Sequence, residues 1–142
     1  MEFKKATQED LDFVRLNPLE GAVKNYPYME VPDDNTIATF CDGKLISVAG
    51  LFMKWPGVGL FWLILVNNFR DYVSGPMAVA TIKEKMDYLI EKNNAWRVEA
   101  DIRVDFPAAA KMVEFLGFKR ECVREKYYPD KTDAYLYSRI IT

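Results

Sequence analysis

Hydrophobic and polar residues alternate along this chain with two different periods, and the change of period marks its elements. Residues 95–104, AWRVEADIRV, alternate strictly from Trp96 onward, which predicts a strand with one apolar and one polar face. Residues 58–66, VGLFWLILV, are apolar on both faces, as in a central strand covered on both sides. Residues 77–92 instead carry an apolar stripe with helical spacing. The stripe consists of Val79, Ile82, Met86 and Leu89.

Capping and turn residues divide the rest of the chain. Thr7 can cap a helix that begins QEDLDFV, and Asp42-Gly43 is a strong hairpin signal. The predicted order is β-α-α-β-β-β-α-β-α-β-β, which makes residues 1–142 one domain with a mixed α/β sheet (α+β in its mixed strand directions). The β-α-β unit around residues 76–92 predicts that its two strands are parallel.

Composition then removes several kinds of chemistry. The chain has 142 residues, no histidine and a net charge of -2, so it offers no Ser-His-Asp triad and no basic nucleic-acid footprint. Cys41 and Cys122 have no CxxC spacing and are predicted to be buried packing residues rather than metal ligands. The start MEFKKATQED has no apolar leader region, and the longest apolar run, about ten residues, is too short to span a membrane. We expect a soluble, cytoplasmic protein with no metal, nucleic-acid or membrane partner.

The stretch FRDYVSGPMA, residues 69–78, lies between the central strand and the helix. Ser74, Gly75 and Pro76 form its turn, and Arg70 precedes them. A helix N-terminus binds phosphate through N–H groups that lack a partner, although Pro76 has no N–H to offer. The same residues also fit a plain strand-to-helix corner, so the stretch alone leaves both readings open.

The element order and three segments resemble the GNAT superfamily of N-acetyltransferases. FKKATQEDLDFV is similar to the family's opening strand and helix, and AAAKMVEFLGF is similar to its fourth helix, which ends in Gly-Phe, here Gly117-Phe118. The family has a loop pattern of Gln or Arg, two residues, Gly, one residue, then Gly or Ala. Arg70 and Gly75 match the first and last positions of this pattern, and Val73 stands where the first glycine is usual. YYPDKTDAYLYSRI and RVEADIRVDFPAAAKMVEFLGF look most like small GNAT-like proteins of tailed bacteriophages, which implies a host cytoplasm.

The resemblance implies transfer of an acetyl group from acetyl-CoA, as cosubstrate, to an amine on a small molecule or a protein. Main-chain N–H groups near Val66 would stabilise the oxyanion. Phe106 stands where an asparagine often contacts the pantetheine arm, Val113 stands where a tyrosine often acts as general acid, and the central strand has no glutamate base. The residues implied to hold acetyl-CoA are Leu65, Val66, Asn67, Arg70, Tyr72, Val73, Ser74, Gly75, Met77 and Phe106.

Without histidine, acid–base catalysis needs carboxylates, tyrosines, lysines, cysteines or water. Glu99, Asp101 and Arg103 share one face of a strand. They form either a mutually paired, solvated face or the lining of a cleft, where Asp101 or Glu99 would take the proton of the amine. Tyr128 of the final hairpin is the candidate acid, although tyrosines on strands usually serve packing. The alternative candidates for this role are Tyr26, Tyr28, Tyr127, Tyr135 and Tyr137.

The loop NYPYMEVPDD, residues 25–34, is acidic and aromatic, and in the family this region walls the acceptor site. Tyr28 and Glu30, together with Trp62, are the expected acceptor-binding residues. Asp33 and Asp34 would further suit a cationic amine, and an ordinary solvated loop is the alternative.

A second class of function is a GNAT-fold protein that no longer catalyses and acts as a binding or virion-associated phage protein. Val73, Phe106 and Val113 favour it, because each replaces a residue type that family chemistry uses. Exposed aromatic residues on the last hairpin would be compatible with a homodimer formed through edge strands.

Overall fold

A computed structural model describes residues 1–27 and 32–142 of the chain. Its strands are β1 (Glu2–Lys5), β2 (Thr36–Cys41), β3 (Lys44–Trp55), β4 (Val58–Leu65), β5 (Arg97–Arg103), β6 (Lys119–Arg124) and β7 (Ala134–Ile140). Its helices are α1 (Gln8–Leu16), α2 (Gly75–Lys92) and α3 (Pro107–Phe115), with 3-10 turns at Gly21–Asn25 and Phe69–Asp71. The predicted order is confirmed, with the second helix reduced to the 3-10 turn Gly21–Asn25.

The strands form one mixed sheet in the order β1-β2-β3-β4-β5-β7-β6. β4 and β5 pair in parallel, as predicted from the helix between them, and the other neighbours pair antiparallel. The β2–β3 hairpin turns at Asp42 and Gly43, which have φ values of 50° and 75°. Two successive positive φ angles are the geometry that this dipeptide predicted.

The predicted cap of α1 is present in full. The N–H of Asp10 donates to Thr7 Oγ1 at 3.1 Å, and the N–H of Thr7 donates to the Asp10 carboxylate at 3.0 Å. α2 begins at Gly75, one residue before the predicted proline, because the Ser74 hydroxyl caps it by accepting from the N–H of Met77. Two side chains thus fix the positions at which α1 and α2 start against the sheet.

Two hydrophobic clusters cover opposite faces of the sheet. One contains Phe61 of β4 and Val98 of β5 together with residues of α2 and α3, and this side is called the α2–α3 face. The other contains Ile64 and Val66 with residues of α1 and the first 3-10 turn, and this side is called the α1 face. Since side chains alternate along a strand, the even residues of β4 and the odd residues of β5 point to the α1 face.

Two predictions about single residues are wrong. Cys122 is exposed because β6 is an edge strand that the described helices do not cover, and Cys41, the last residue of β2, is only half-buried. Tyr127 and Tyr128 lie in the connection after β6 rather than on a strand. Among the described residues, no helix is both long and apolar enough to cross a membrane.

Candidate active site

A gap opens in the middle of the sheet, where its only parallel pair of described strands separates. The ladder between β4 and β5 runs from Val58–Arg97 to Leu60–Glu99 and stops there. β4 continues to Leu65 and β5 continues to Arg103, so the last residues of both strands have no partner across the gap. Backbone groups left at such a gap can pair with an extended ligand as if it were an added strand.

The chain between α1 and the first 3-10 turn closes the far end of the gap. The N–H of Leu19 donates to the C=O of Leu65 at 2.8 Å, and the N–H of Asn67 donates to the C=O of Asn17 at 2.9 Å. Pro18 and Val66 form an antiparallel bridge between these two bonds. The segment 17–19 therefore substitutes for a strand at the end of β4, and it brings residue 20 to the gap.

A cavity of about 890 Å³ lies at this gap. Its walls come from β4, β5, the first turns of α2, α3, the first 3-10 turn and the connection between β6 and β7. The volume lies within the ordinary range for small-molecule and cofactor sites.

The backbone of β4 decides which groups face the gap. The N–H of Val66 donates to the C=O of Ile46 on β3 at 3.0 Å, so the oxyanion donor predicted near Val66 has to be a neighbouring residue rather than Val66 itself. Neighbouring residues of a strand direct their N–H and C=O groups to opposite edges. The N–H groups of Leu63 and Leu65 therefore turn toward the gap, and the N–H of Asn67 is used by Asn17.

The loop 69–76 keeps few N–H groups for a phosphate. The N–H groups of Tyr72 and Val73 both donate to the C=O of Phe69 at 3.1 Å, and the N–H of Asp71 donates to Asn68. The Met77 N–H is held by Ser74. Within the described residues, the N–H groups of Arg70, Ser74 and Gly75 have no such partner.

The side chains of this loop leave its surface open. Val73 is only 8% exposed and packs into the α1-face cluster, so it does not block a ligand. A Cβ added to Gly75 would meet no atom within 4 Å, and Gly75 and Arg70 both line the cavity. A phosphate at this position would therefore find an open glycine, one arginine and a short row of N–H groups.

The remaining predicted acetyl-CoA residues divide between the cavity and its surroundings. Leu65 and Phe106 line the cavity. Tyr72, Ser74 and Met77 do not: the Tyr72 carbonyl accepts from Cys41 Sγ at 3.4 Å, and Met77 is 55% exposed on α2.

The predicted acidic face of β5 is split by the end of the ladder. Glu99 lies where the strands still pair and is bound by Lys54 at 2.6 Å and Arg97 at 2.9 Å, so it lies outside the cavity lining. Asp101 lines the cavity, and its two oxygens accept from Arg124 Nε and the Tyr127 hydroxyl, both at 3.0 Å. The structure therefore places Glu99 in the paired part of the sheet and Asp101 in the lining of the cavity, while the role of Asp101 as a proton acceptor stays a prediction.

Arg103 ties together the loops around the cavity. The side chain of Arg103 is 6% exposed, and its guanidinium donates to Asp105 at 2.9 and 3.0 Å, to Asp130 at 2.8 and 3.3 Å, and to Thr132 at 2.9 Å. It also lies over the ring of Tyr128, 5.0 Å from the centroid. Because a guanidinium presents a planar fork of donors, this one side chain fixes the end of β5 to the β6–β7 connection. Its positive charge and hydrogen bonds hold the pKa values of Asp105 and Asp130 below their usual range.

Glu20 is a site residue that the sequence analysis did not find. Its side chain lines the cavity, accepts from the Tyr26 hydroxyl at 3.2 Å and lies 3.6 Å from Arg103 Nε. Burial raises its pKa, while Tyr26 and Arg103 oppose the shift. The sequence signal was slight: one carboxylate in the turn-rich segment NPLEG.

Tyrosines form the wall beside Glu20. Tyr26 and Tyr128 stack with ring centroids 5.2 Å apart, and Tyr127 meets Tyr128 edge-on. Burial raises the pKa of Tyr26 to about 12 and raises the pKa of Tyr128 as well. Both hydroxyls are therefore protonated at neutral pH and can donate a hydrogen bond.

The predicted acceptor residues have different outcomes. Trp62 lines the cavity, and its ring lies over Gly50, where a Cβ would come within 2.6 Å of it. Tyr28 and Glu30 lie outside the described residues. Asp33 caps its own turn through Asn35 and Thr36, and Asp34 pairs with Lys5 at 2.6 Å. These two aspartates do not line the cavity, so their expected place beside a cationic acceptor is wrong.

Comparison with known proteins shows that solved structures share the fold of this chain. No protein-family model matches the sequence, and no curated protein matches it. A point mutant of spermidine N-acetyltransferase from Vibrio cholerae matches with TM-score 0.77 and 17% identity, covering 99% of this chain and 95% of that one. Ribosomal-protein-alanine N-acetyltransferase from Brucella melitensis matches with TM-score 0.74 and 14% identity, covering 99% and 100%. A GNAT-family acetyltransferase from Streptococcus pneumoniae matches with TM-score 0.71 and 13% identity, covering 99% of each.

The chain has the GNAT fold. Its structural neighbours include N-acetyltransferases, and the likeness extends over nearly its whole length. At these identities the likeness concerns the fold, and activity has to be argued from the site.

Proposed function

We propose that this protein, a single GNAT-like domain over residues 1–142, is an N-acyltransferase that moves an acetyl group from acetyl-CoA to an amine. The observation that carries the proposal is the β4–β5 gap, which opens into the cavity with N–H groups of β4 turned toward it. A gap of this kind suits an extended amide-containing arm such as pantetheine. The N–H groups of Leu63 and Leu65 are the proposed donors to the arm and to the developing oxyanion.

We propose that acetyl-CoA and the amine enter the cavity from opposite faces of the sheet. Arg70 and Gly75 at the start of α2, with Phe106 before α3, line the proposed side for acetyl-CoA. Trp62, Asp101 and the tyrosines line the α1 face, which is the proposed side for the amine. Most of the rate would come from holding the amine beside the thioester, with Tyr128 or water as the proton donor to the leaving sulfur. The acceptor class follows the neighbours, whose names specify spermidine and a ribosomal-protein alanine.

A second function is favoured by one observation. Hydrogen bonds within the loop 69–76 use most of its N–H groups, and Pro76 has none. Such a loop would hold a pyrophosphate weakly, as expected for a GNAT-fold binding or phage virion-associated protein without activity. We also propose a phage origin and a location in the host cytoplasm. We further propose a homodimer that forms through the exposed edge of β6.

Ligand titration distinguishes these functions. We expect acetyl-CoA to raise the melting temperature and to bind with measurable heat, since ligand at about 100 times its Kd stabilises a fold by about 2.7 kcal/mol. Acetyl-pantetheine, which lacks the pyrophosphate and nucleotide, reports the gap alone. Thiol release with spermidine and with a peptide bearing N-terminal alanine then measures transfer.

The outcomes separate cleanly. Binding of acetyl-CoA with transfer to either amine supports the enzyme. Binding without transfer supports the non-catalytic protein. Absence of any thermal shift at millimolar acetyl-CoA and acetyl-pantetheine contradicts the enzyme and leaves the protein without activity as the supported function. Arg70→Ala should weaken acetyl-CoA more than acetyl-pantetheine and leave the melting temperature of the free protein unchanged.

A further inference from the structure

The carboxylate of Glu20 is held at the gap by backbone pairing. The bond from Leu19 N–H to Leu65 C=O, 2.8 Å long, sets the preceding residue directly against the end of β4. Across the gap, Arg103 Nε of β5 lies 3.6 Å from Glu20 Oε1. Glu20 therefore lies between the end of β4, where Leu19 is bound to Leu65, and the end of β5, where Arg103 lies.

Among the described residues, one oxygen of this carboxylate accepts a hydrogen bond and the other does not. Oε1 accepts from the Tyr26 hydroxyl at 3.2 Å, whereas none of the described residues donates a hydrogen bond to Oε2. Asp101 differs, because Arg124 and Tyr127 occupy its two oxygens. Of the two carboxylates that line the cavity among the described residues, Glu20 is the one with an oxygen to which no described residue donates, and this oxygen can accept from an incoming N–H.

We propose that Glu20 is the proton acceptor for the amine, an inference that rests on the proposed acyltransferase function. The amine nitrogen forms a bond to the acetyl carbonyl carbon while its proton passes to Glu20 Oε2. The carbon–sulfur bond then breaks with its electrons on sulfur. The proton held by Glu20 reaches that sulfur through water, which restores the carboxylate and completes the balance.

The electrostatic surroundings suit this role. Burial raises the pKa of Glu20 above its usual value, which brings a carboxylate closer to the working pH of a general base. The hydrogen bond from Tyr26 and the charge of Arg103 act in the opposite direction and lower the pKa of Glu20. Within residues 1–27 and 32–142, the titratable groups that act on Glu20 are Tyr26, Arg103, Asp105 and Tyr128, and Arg15 of α1 lines the same cavity.

The test compares Glu20→Gln with Glu91→Gln, a matched change at an exposed position of α2. Both are assayed for transfer from acetyl-CoA to spermidine and to the N-terminal alanine peptide between pH 5 and 9. We expect Glu20→Gln to lower kcat by about 10²–10⁴-fold, to abolish the acidic limb of the pH profile and to leave acetyl-CoA binding unchanged. Glu20→Asp should retain the acidic limb at a reduced rate, and Glu91→Gln should match the wild type.

Each failure points to a different proposal. If the wild type does not bind acetyl-CoA or transfers to neither amine, the proposed enzyme function fails. If the wild type transfers and Glu20→Gln stays within threefold with an unchanged pH profile, Glu20 is not the proton acceptor. A carbon-13 titration of the Glu20 carboxylate in the wild type needs no acceptor. A pKa at or below the usual value of about 4.3 would overturn the assignment.

Discussion

At the scale of single residues, Val73 and Gly75 show how position decides the meaning of a motif. Val73 replaces a glycine of the family pattern, yet its side chain is buried in the core. What limits the loop is the use of its N–H groups by Phe69, a contact between main-chain atoms. Gly75 keeps the property that a phosphate needs, an open approach to the backbone.

Substituting Gly75 therefore tests the loop directly. Gly75→Ala adds a Cβ that meets no protein atom within 4 Å, so we expect an unchanged or slightly higher melting temperature. If a pyrophosphate lies against this residue, the variant binds acetyl-CoA more weakly while binding acetyl-pantetheine as before. Isothermal calorimetry with both ligands measures the difference. Gly21→Ala, which also adds a Cβ in open space, is the control, and equal affinities in all three proteins would remove the loop from the site.

The burial of Glu20 has a consequence for stability that does not depend on the reaction. Its pKa is raised in the folded protein, so the ionised form is penalised by folding and the penalty disappears once both states are protonated at low pH. Glu20→Gln should therefore raise the melting temperature at pH 7 and have a smaller effect at pH 4. Differential scanning calorimetry at both pH values measures this, and the reverse order would show that Arg103 and Tyr26 outweigh burial.

At the scale of elements, the edge strand β6 is attached to β5 through side chains as well as through β7. Arg97 of β5 donates to both oxygens of Glu121 at 2.8 and 3.0 Å, and Ser138 of β7 donates to the same carboxylate. These bonds lower the pKa of Glu121 to about 2. Three strands are thereby joined on the face of the sheet opposite α2 and α3.

Glu121→Gln should loosen this attachment at neutral pH. Exposed ion pairs contribute up to about 1 kcal/mol, and we expect a loss of that order in the free energy of unfolding at pH 7. Since the pKa of Glu121 is lowered, its contribution is present above the unfolded-state pKa and is lost as the pH falls toward 2. Urea unfolding at pH 7 and pH 3 measures it, with the exposed Glu125→Gln as control. An equal loss at both pH values would contradict the ionic origin.

At the scale of the whole molecule, paired carboxylates set the response to acid. Several carboxylates on different elements have lowered pKa values because a guanidinium or ammonium group lies beside each. These are Asp87, Glu99, Asp105, Glu121 and Asp130. The pKa of Glu20 is raised instead, but the carboxylates with lowered pKa values are more numerous.

The folded protein therefore binds fewer protons than the unfolded chain below about pH 5, and its stability falls as acid is added. We expect the urea midpoint to be similar at pH 7 and pH 6 and to fall steadily from pH 5 to pH 3. High salt should reduce the difference, because most of the pairs are partly exposed. A midpoint that stays constant from pH 7 to pH 3 would mean that these pairs contribute nothing measurable.

The sequence by itself determined the local structure. Local signals act through neighbours only a few residues away, so they can be read from the sequence. Thr7 predicted the start of α1, Asp42-Gly43 predicted the β2–β3 hairpin, and the apolar stripe of α2 between two strands predicted the parallel pair. The alternation of β5 likewise predicted which of its side chains share a face. Exposure of Cys122 was missed, because a pattern of residues does not state which strand ends at the edge of a sheet.

Only the tertiary structure decided the contents of the site. The N–H of Val66 is used by Ile46, and Leu19 pairs with Leu65 although the two are far apart in the chain. Irregular backbone pairing of this kind leaves no periodic signal, and so neither the loss of Val66 as a donor nor the arrival of Glu20 at the gap could be foreseen. Arg103 gathers Asp105 and Asp130 for the same reason: the fold, rather than the spacing of charges, brings them within hydrogen-bond distance.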